Sequence, residues 1–317
     1  MALGVFNKKG IAEFGPLEYF CQWGRVIFWG ILKKTGTYEP SSMEDQSVDR
    51  IADFDEFPYC SLCGSDKVAE EFTVADGSRI VRCEECGLLF TSPRINEKTW
   101  MNYLKEPSER SITFTENRVK YGVALPVNTR FAMPTWFSTM FKEKTRVLEH
   151  MEMYLKSPIT RLHDVGCGIG FQLIAAEDRG ITASGNDLNG YACEVMRNRL
   201  GLTVYNAEIH ETPIPDSALD ALIMDDYIEH TYHPRRDLEK AYTLLRPGGV
   251  LYLHTFHIGC RQFDDNKLNW NYLFWNHTHH FSVNTMKQML SSIGYEICEL
   301  MASYESEEMT VVAKKPE

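Results

Sequence analysis

The clearest chemical pattern in this 317-residue chain is a set of four cysteines in two tight pairs. Cys60 and Cys63 form the first pair, Cys83 and Cys86 form the second, and a glycine follows each pair. Four thiolates at this spacing are typical of a closed tetrahedral zinc site, and the glycines permit a tight turn around the sulfurs. The sequence therefore predicts a structural zinc ion in a small ribbon over residues 58–95. Chance core cysteines and a redox pair are the alternatives.

A second pattern, rich in glycine, follows an apolar segment that is typical of a buried strand. Asp164 ends that segment, and Gly166, Gly168 and Gly170 follow it at the start of a predicted helix. Glycines suit a backbone that turns sharply and approaches a ligand closely, and a helix start offers N–H groups to an anion. Asp187 ends the next predicted strand, where a carboxylate can bind ribose hydroxyls. These features predict a nucleotide-like cofactor, but dinucleotides suit them too.

Further motifs follow in order and narrow the choice of cofactor. They are Asn186-Asp187, Asn206–Glu208, Asp220 with the Glu229-His230 pair, and Leu245–Gly249. As a set with the glycine turn, they resemble the class I S-adenosylmethionine (SAM)-dependent methyltransferases over about residues 135–315. The resemblance is strongest to the group that contains the ubiquinone-biosynthesis O-methyltransferases.

The resemblance implies roles for individual residues. In that family the glycine turn holds the methionine end of SAM and the position of Asp187 binds the ribose. The position of Asn206, usually aspartate, contacts adenine together with the next backbone N–H. The expected cofactor-binding residues are Asp164, Gly166, Gly168, Gly170, Asp187, Leu188, Asn206, Ala207 and Asp225. A dehydrogenase-like nucleotide site and a degenerate cofactor-binding domain without activity are the alternatives.

The cysteine segment carries a resemblance of its own. Residues Arg79–Arg94 resemble the zinc ribbon that is fused to methyltransferases of polysaccharide and natural-product gene clusters. A zinc finger of ribosomal RNA guanine methyltransferases is the alternative. The chain has 44 acidic and 33 basic residues, a net charge of -11, and such a balance repels phosphate backbones. We therefore expect a small-molecule methyl acceptor and no nucleic-acid partner.

Histidines are the expected acid–base groups at the acceptor. Ligands in this architecture bind beyond the carboxyl ends of the strands, which residues 224–230, 254–257 and 270–280 should reach. An acceptor O–H or N–H must lose a proton, and a histidine of near-neutral pKa suits that task. We predict His230 and His280 as the catalytic candidates; the alternative is that they only cap or anchor loops. Asp226, Glu229 and His230 also match, with Asp for Glu, a divalent-metal constellation of the resembled family.

The strands and helices that position these groups are predicted from alternating patterns in the sequence. The predicted strands are residues 159–165, 182–187, 202–205, 219–224, 250–256, 297–303 and 310–313. The pattern predicts a doubly wound α/β fold with a mainly parallel seven-stranded sheet, since helices separate most of the strands. A short loop joins the last two strands, so the final strand should be antiparallel.

The remaining segments complete the expected domain organisation. Residues 1–57 are interpreted as an N-terminal helix and an acidic linker, residues 96–134 as a connecting or lid segment, and residues 135–317 as the methyltransferase domain. Apolar residues recur at helical spacing over 17–32, which predicts a helix that packs on the protein's own core or on a second copy in a homodimer. Peripheral membrane contact through this helix is the alternative.

The cysteine count and the start of the chain bear on its compartment. The nine cysteines are an odd number, and no signal peptide is recognised, so reduced thiols and a cytoplasmic location are expected. The functional hypothesis is a SAM-dependent methyltransferase that acts on an oxygen or carbon of a sugar, quinol or natural-product intermediate. A zinc-ribbon binding or regulatory protein, and a methyltransferase of RNA or of a lipid precursor, are the alternatives.

Overall fold

The fold is described here from a computed structural model for residues 54–73, 79–105, 112, 135–267, 270, 272–273 and 276–317. The helix expected over residues 17–32 and most of the acidic linker lie outside these described residues. In the described ranges, no helix is both long enough and apolar enough to cross a membrane.

A seven-stranded sheet forms the centre of the catalytic domain. Its strands in chain order are β6 (Arg161–Val165), β7 (Thr182–Asn186), β8 (Val204–Tyr205), β9 (Leu219–Asp225), β10 (Leu245–Phe256), β12 (Glu296–Ala302) and β13 (Glu308–Lys314). The spatial order is β12-β13-β10-β9-β6-β7-β8. β13 pairs antiparallel with both β10 and β12, whereas β6 to β10 pair in parallel. The predicted fold class and the antiparallel last strand are confirmed.

Helices cover both faces of this sheet. Consecutive residues of a strand point to opposite sides, so a strand that is apolar throughout presents an apolar surface to each face. The helices are α2 (Thr135–Glu152), α3 (Phe171–Glu177), α4 (Gly190–Leu200), α5 (Pro234–Leu244) and α7 (Val283–Ile293), and the short α6 (Arg261–Asn266) follows β10 in the chain. Leu222 and Met224 of β9 join the apolar cluster of α5 and α7. Ala221 and Ile223 join the cluster of α2, α3 and α4. The central strand is therefore buried on both sides.

The start of β10 differs from the sequence prediction. The sequence predicts a strand that begins at residue 250, but β10 begins at Leu245 and includes residues 247–249. The pairing register with β9 shifts between Leu245 and Val250, and Gly248 has φ +72°. The strand is therefore irregular at Pro247 and Gly248. Ser282 caps the start of α7, since its side chain accepts from the backbone N–H of Thr285.

A second sheet carries the cysteine pairs. It contains β2 (Val68–Thr73), β3 (Arg79–Cys83), β4 (Leu89–Thr91) and β11 (His279–His280), in the order β11-β4-β3-β2. β11 belongs to the catalytic part of the chain and pairs antiparallel with β4. Leu88 and Phe90 also pack in the same apolar cluster as α5 and α7. The cysteine-bearing segment thus shares a sheet and a core with the catalytic domain.

Two short strands and a helix flank this second sheet. β1 (Phe54–Glu56) pairs antiparallel with β5 (Arg94–Ile95), and α1 (Glu97–Lys105) follows. β1 lies in the segment predicted to be an acidic linker, so the end of that segment forms a strand. An ion pair connects β1 to β5, since Glu56 accepts two hydrogen bonds from the buried Arg94 guanidinium, at 2.6 and 3.0 Å.

Candidate cofactor and acceptor site

The glycine turn between β6 and α3 has the conformation that a ligand cradle requires. Gly166, Gly168 and Gly170 all have positive φ, between +55° and +77°. A Cβ atom at Gly166 would lie 2.8 Å from the Tyr227 ring, and one at Gly170 would lie 2.7 Å from Leu202. At Gly168 no atom lies within 4 Å of an added Cβ. The outer two glycines allow close packing, and Gly168 leaves room for a ligand.

Asp187 lies beside this turn, at the end of β7. One of its carboxylate oxygens accepts from the Gly168 N–H at 2.9 Å and the other from the Asn189 N–H at 2.8 Å. Each oxygen keeps a further lone pair that a ribose hydroxyl could use. Burial raises the pKa of Asp187. Asn206 fixes the adjoining loop, since its amide donates to the carbonyls of Asp187 and Leu188, both at 3.0 Å.

Asp164 and Asp225 lie at the ends of neighbouring strands, and the charge of one lysine, Lys144, acts on both carboxyl groups. The side chain of Lys144, from α2, forms a hydrogen-bonded ion pair with the Asp225 carboxylate. Burial alone would raise the pKa of Asp225, but Lys144 and His254 hold it well below its usual range. Burial raises the pKa of Asp164 to about 8, although the charge of Lys144 opposes the rise. Sequence reasoning missed Lys144, because nothing distinguishes it from the other charged residues of α2.

Asp226 lies in a different cluster from the one predicted. Its carboxylate is 2.9 Å from Nδ1 of His254, and the Asp225 carboxylate is 3.2 Å from the same nitrogen. Burial lowers the pKa of His254, but these carboxylates reverse the effect and raise it well above its usual value. The backbone at Asp226 is left-handed, with φ +53°. The predicted group of Asp226, Glu229 and His230 is therefore divided, and Asp226 belongs with His254.

Glu229 and His230 meet His277 instead. One ligand atom from each of the three side chains lies within 4.8 Å of the other two. The His230 and His277 rings are 4.5 Å apart and edge to face. Burial raises the pKa of Glu229 to about 8, and the nearby Asp226 adds to the rise. Sequence reasoning placed His277 in the rim loop but assigned it no role, because several histidines there compete.

Burial lowers the pKa of both predicted catalytic histidines below the ordinary histidine value. Burial lowers the pKa of His230, and the Asn276 carbonyl, which accepts from its Nδ1 at 2.9 Å, partly opposes this. Burial lowers the pKa of His280 to about 4. His280 lies in β11, and its Nε2 is buried and has no hydrogen-bond partner. His277 interacts electrostatically with both rings, so the structure brings the three imidazoles together.

Aromatic side chains continue from this histidine group. Tyr272 stacks on Phe256 with ring centroids 3.6 Å apart, and it is nearly parallel to the His277 ring. Trp270 packs in an apolar cluster and its indole N–H donates to Glu307, so it belongs to the core. Phe274 and Trp275 of the same loop lie outside the described residues.

The four cysteines of the ribbon converge. Cys60 and Cys86 have sulfurs 3.4 Å apart, Cys63 and Cys83 have sulfurs 3.5 Å apart, and all four lie within 4.8 Å of one another. A tetrahedral zinc ion with Zn–S bonds near 2.3 Å places its sulfurs about 3.8 Å apart, so the set fits such an ion. The same hydrogen bond closes the turn at each cysteine pair. The N–H of Gly64 donates to the Cys60 carbonyl, and the N–H of Gly87 donates to the Cys83 carbonyl.

Three arginines of the ribbon region are each paired with a glutamate. Arg79 lies 3.7 Å from Glu70, and Arg82 lies 2.8 Å from Glu71. Arg94 is buried in its ion pair with Glu56. These are the arginines that a phosphate-binding surface on the ribbon would use, and their charges are balanced within the chain.

Comparison with known proteins identifies related sequences and folds. A family model described as a methyltransferase domain matches residues 136–300. A malonyl-[acyl-carrier protein] O-methyltransferase of Serratia marcescens is 29% identical over 106 residues, which is 33% of this chain and 42% of that protein. A probable SAM-dependent methyltransferase of Mycolicibacterium smegmatis is 25% identical over 136 residues, 42% of this chain and 51% of that protein. The chain thus spans about half, or less, of these relatives' length.

Among solved structures, a SAM-dependent methyltransferase of Thermotoga maritima, described as a possible histamine N-methyltransferase, is 19% identical. The match covers 65% of this chain and 97% of that one, with a TM-score of 0.46. A similarity of this extent carries no inference about the substrate.

Proposed function

The chain belongs to the methyltransferase domain family, and on that premise we propose that the protein transfers the methyl group of SAM to an oxygen or carbon of a small molecule. The observation that carries the proposal is the cradle at Gly168, which has open space above it and the Asp187 carboxylate beside it. SAM supplies an activated methyl group on a positively charged sulfur. The acceptor must be aligned with that group and must lose a proton.

The cofactor-binding residues are assigned within this proposal. Asp187 takes the ribose hydroxyls, and the loop held by Asn206, with Leu188 and Ala207, takes the adenine. Asp164 and Asp225 lie at the carboxyl ends of adjacent strands, near the methionine end, where their negative charge suits a cation. Lys144, which pairs with Asp225, is positioned to hold the carboxylate of the methionine part.

We assign the methyl acceptor to the part of the sheet edge at which His230 and His280 lie. Burial lowers the pKa of both His230 and His280, so each ring offers a neutral nitrogen to the acceptor. A lowered pKa makes an imidazole a weaker base, so these rings are better suited to anchoring a hydroxyl than to holding its proton. Burial around them excludes water, which would otherwise compete for the methyl group. The ring of Tyr272, which is half-buried and nearly parallel to the His277 ring, suits contact with a sugar ring or an aromatic acceptor.

The ribbon is proposed to hold a structural zinc ion and to support the acceptor side. The backbone N–H of Thr91, in β4, donates to the Thr278 carbonyl at 3.0 Å, and the Thr91 hydroxyl donates to the His277 carbonyl at 3.3 Å. These bonds fix the strand that carries His280. An RNA acceptor is disfavoured, because Arg79, Arg82 and Arg94 are already paired with carboxylates.

A mass-shift screen tests the acceptor class. The full chain is incubated with SAM that carries a trideuterated methyl group and with panels of sugars, quinols, small natural-product precursors and a short structured RNA. We expect a product heavier by one trideuteromethyl group from a small molecule and none from the RNA. Methylation of the RNA, with no product from any small-molecule panel, would contradict the proposal.

A further inference from the structure

A row of hydrogen-bonded side chains leads from the interior of the central sheet to residues 206–208, which we call the adenine loop. Nδ1 of His163, in β6, lies 2.8 Å from the Ser184 hydroxyl of β7. Nε2 of the same ring lies 2.9 Å from Oδ1 of Asn186, the last residue of β7. The Asn186 amide in turn donates to the Ala207 carbonyl at 3.0 Å. Three successive hydrogen bonds thus connect two central strands with the adenine loop.

The side chains of this row lie on one face of the sheet, because alternate residues of a strand point the same way. Ser184 and Asn186 are two residues apart in β7, whereas Ala183 between the strand start and Ser184 packs with the helices of the opposite face. His163 is 0% exposed and Asn186 is 2% exposed. Buried polar atoms cost free energy unless they are hydrogen-bonded, and here each polar side-chain atom of these two residues has a partner.

The direction of each hydrogen bond follows from the partners. The Ala207 carbonyl can only accept, so Asn186 turns its NH2 group toward that carbonyl and its Oδ1 toward the imidazole. Nε2 of His163 therefore carries the ring proton and donates to Asn186, and Nδ1 accepts from the Ser184 hydroxyl. Burial lowers the pKa of His163 to about 4, although the bond to Asn186 opposes the fall. The ring therefore keeps this single tautomer at neutral pH.

Asn186 also connects the two parts of the proposed cofactor site. Its backbone carbonyl accepts from the N–H groups of Gly166 and Cys167 in the glycine turn, at 2.9 and 3.0 Å. Its side chain holds the Ala207 carbonyl of the adenine loop. The position of the adenine loop relative to the glycine turn therefore depends on the orientation of one amide, and the His163 ring fixes that orientation.

From this geometry we propose that His163 is a positioning residue for the base of the cofactor, because it fixes the Asn186 amide that holds the adenine loop in place. His163 acts through Asn186, and no proton is transferred. The inference rests on the proposed function, in which this loop takes the adenine of SAM. Without the ring the amide can rotate, and part of the binding free energy is then used to order the loop.

Three ligands separate a loss at the base from a general loosening of the protein. S-adenosylhomocysteine, the demethylated product of SAM, contains adenine, ribose and the amino acid; 5′-methylthioadenosine lacks the amino acid, and S-ribosylhomocysteine lacks adenine. Their dissociation constants for the full chain are measured by calorimetry, well below the thermal midpoint of every variant. His163→Leu should bind the two adenine-bearing ligands ~10-fold more weakly, about the effect of one lost hydrogen bond, and S-ribosylhomocysteine as the wild type does.

Matched variants show whether the N–H of the ring is responsible. His163→Gln keeps an N–H that can reach the Asn186 oxygen, so it should restore most of the affinity. His163→Asn carries the same amide on a side chain shorter by one methylene, so it should behave as His163→Leu does and decides the matter if the leucine variant does not fold. His257→Leu is the control, because His257 is also buried but its ring nitrogens are bonded to the Ser306 carbonyl and the Gly259 N–H. It should bind all three ligands as the wild type does.

The inference is overturned if His163→Leu and His163→Asn bind the adenine-bearing ligands as the control does, or if all three ligands weaken by the same factor. It is also overturned if His163→Gln binds no more tightly than His163→Asn. Any of these results in a protein whose wild type binds S-adenosylhomocysteine removes the positioning role alone. A wild type that binds neither SAM nor S-adenosylhomocysteine removes the cofactor assignment, and this inference with it.

Discussion

The affinity for SAM should fall as the pH is lowered from 7 to 6, because Asp164 must be ionised to face a cation. Burial raises the pKa of this carboxyl to about 8, so its protonated form predominates in the free protein at neutral pH. A carboxyl of that pKa is ionised in about 10% of molecules at pH 7 and about 1% at pH 6. Binding that requires the carboxylate is therefore ~10-fold weaker at pH 6, or ~1.4 kcal/mol.

Isothermal titration of SAM at a series of pH values between 6 and 7 measures this slope. The α-amino group of SAM stays protonated there, since such groups have pKa values of about 7.7–8.0. Asp164→Asn is the matched control, because it resembles the protonated acid at every pH. Burial also raises the pKa of Asp187, so this second carboxyl can add to the pH dependence of SAM binding. In Asp164→Asn, any change of SAM affinity between pH 6 and 7 should therefore come from Asp187 alone and be smaller than in the wild type. An equal dissociation constant at pH 6 and 7 in the wild type, or an equal slope in the variant, would refute the reasoning.

Two other predictions concern the ribbon and the histidines. Cys83→Ser should lose the ribbon zinc, and removing the ion should unfold the ribbon strands and lower the thermal midpoint, since a short segment has little core of its own; metal-free protein purified without chelator would contradict this. His230→Ala or His280→Ala should lower turnover of an identified acceptor by ~100-fold while SAM affinity stays nearly constant. Wild-type turnover in both variants would remove the histidine assignment.

Much of the central sheet follows from local patterns in the sequence. β9 is a continuous apolar run bounded by aspartates, and such a run is typical of a parallel strand buried on both faces. The glycine turn and Asp187 lie at the carboxyl ends of adjacent strands, so their proximity could be predicted from strand order. The convergence of the four cysteines could likewise be predicted, because their spacing alone defines the ligand set.

Contacts between distant parts of the chain could not be predicted in this way. β11 contains only His279 and His280, and it exists because Phe90 and Leu89 of the ribbon lie opposite. A two-residue strand has no periodicity to detect. The grouping of Asp226 with His254 depends on a left-handed backbone at an aspartate, and the role of Lys144 depends on how α2 packs. None of these features has a local signal in the sequence.

Whether this chain binds SAM is decided by calorimetric titration of the full chain with SAM and, in parallel, with NAD. We expect one SAM per chain with a dissociation constant in the micromolar range, no binding of NAD, and much weaker SAM binding by Asp187→Ala, which loses the ribose contacts. Binding of NAD by a wild-type protein that does not bind SAM would contradict it.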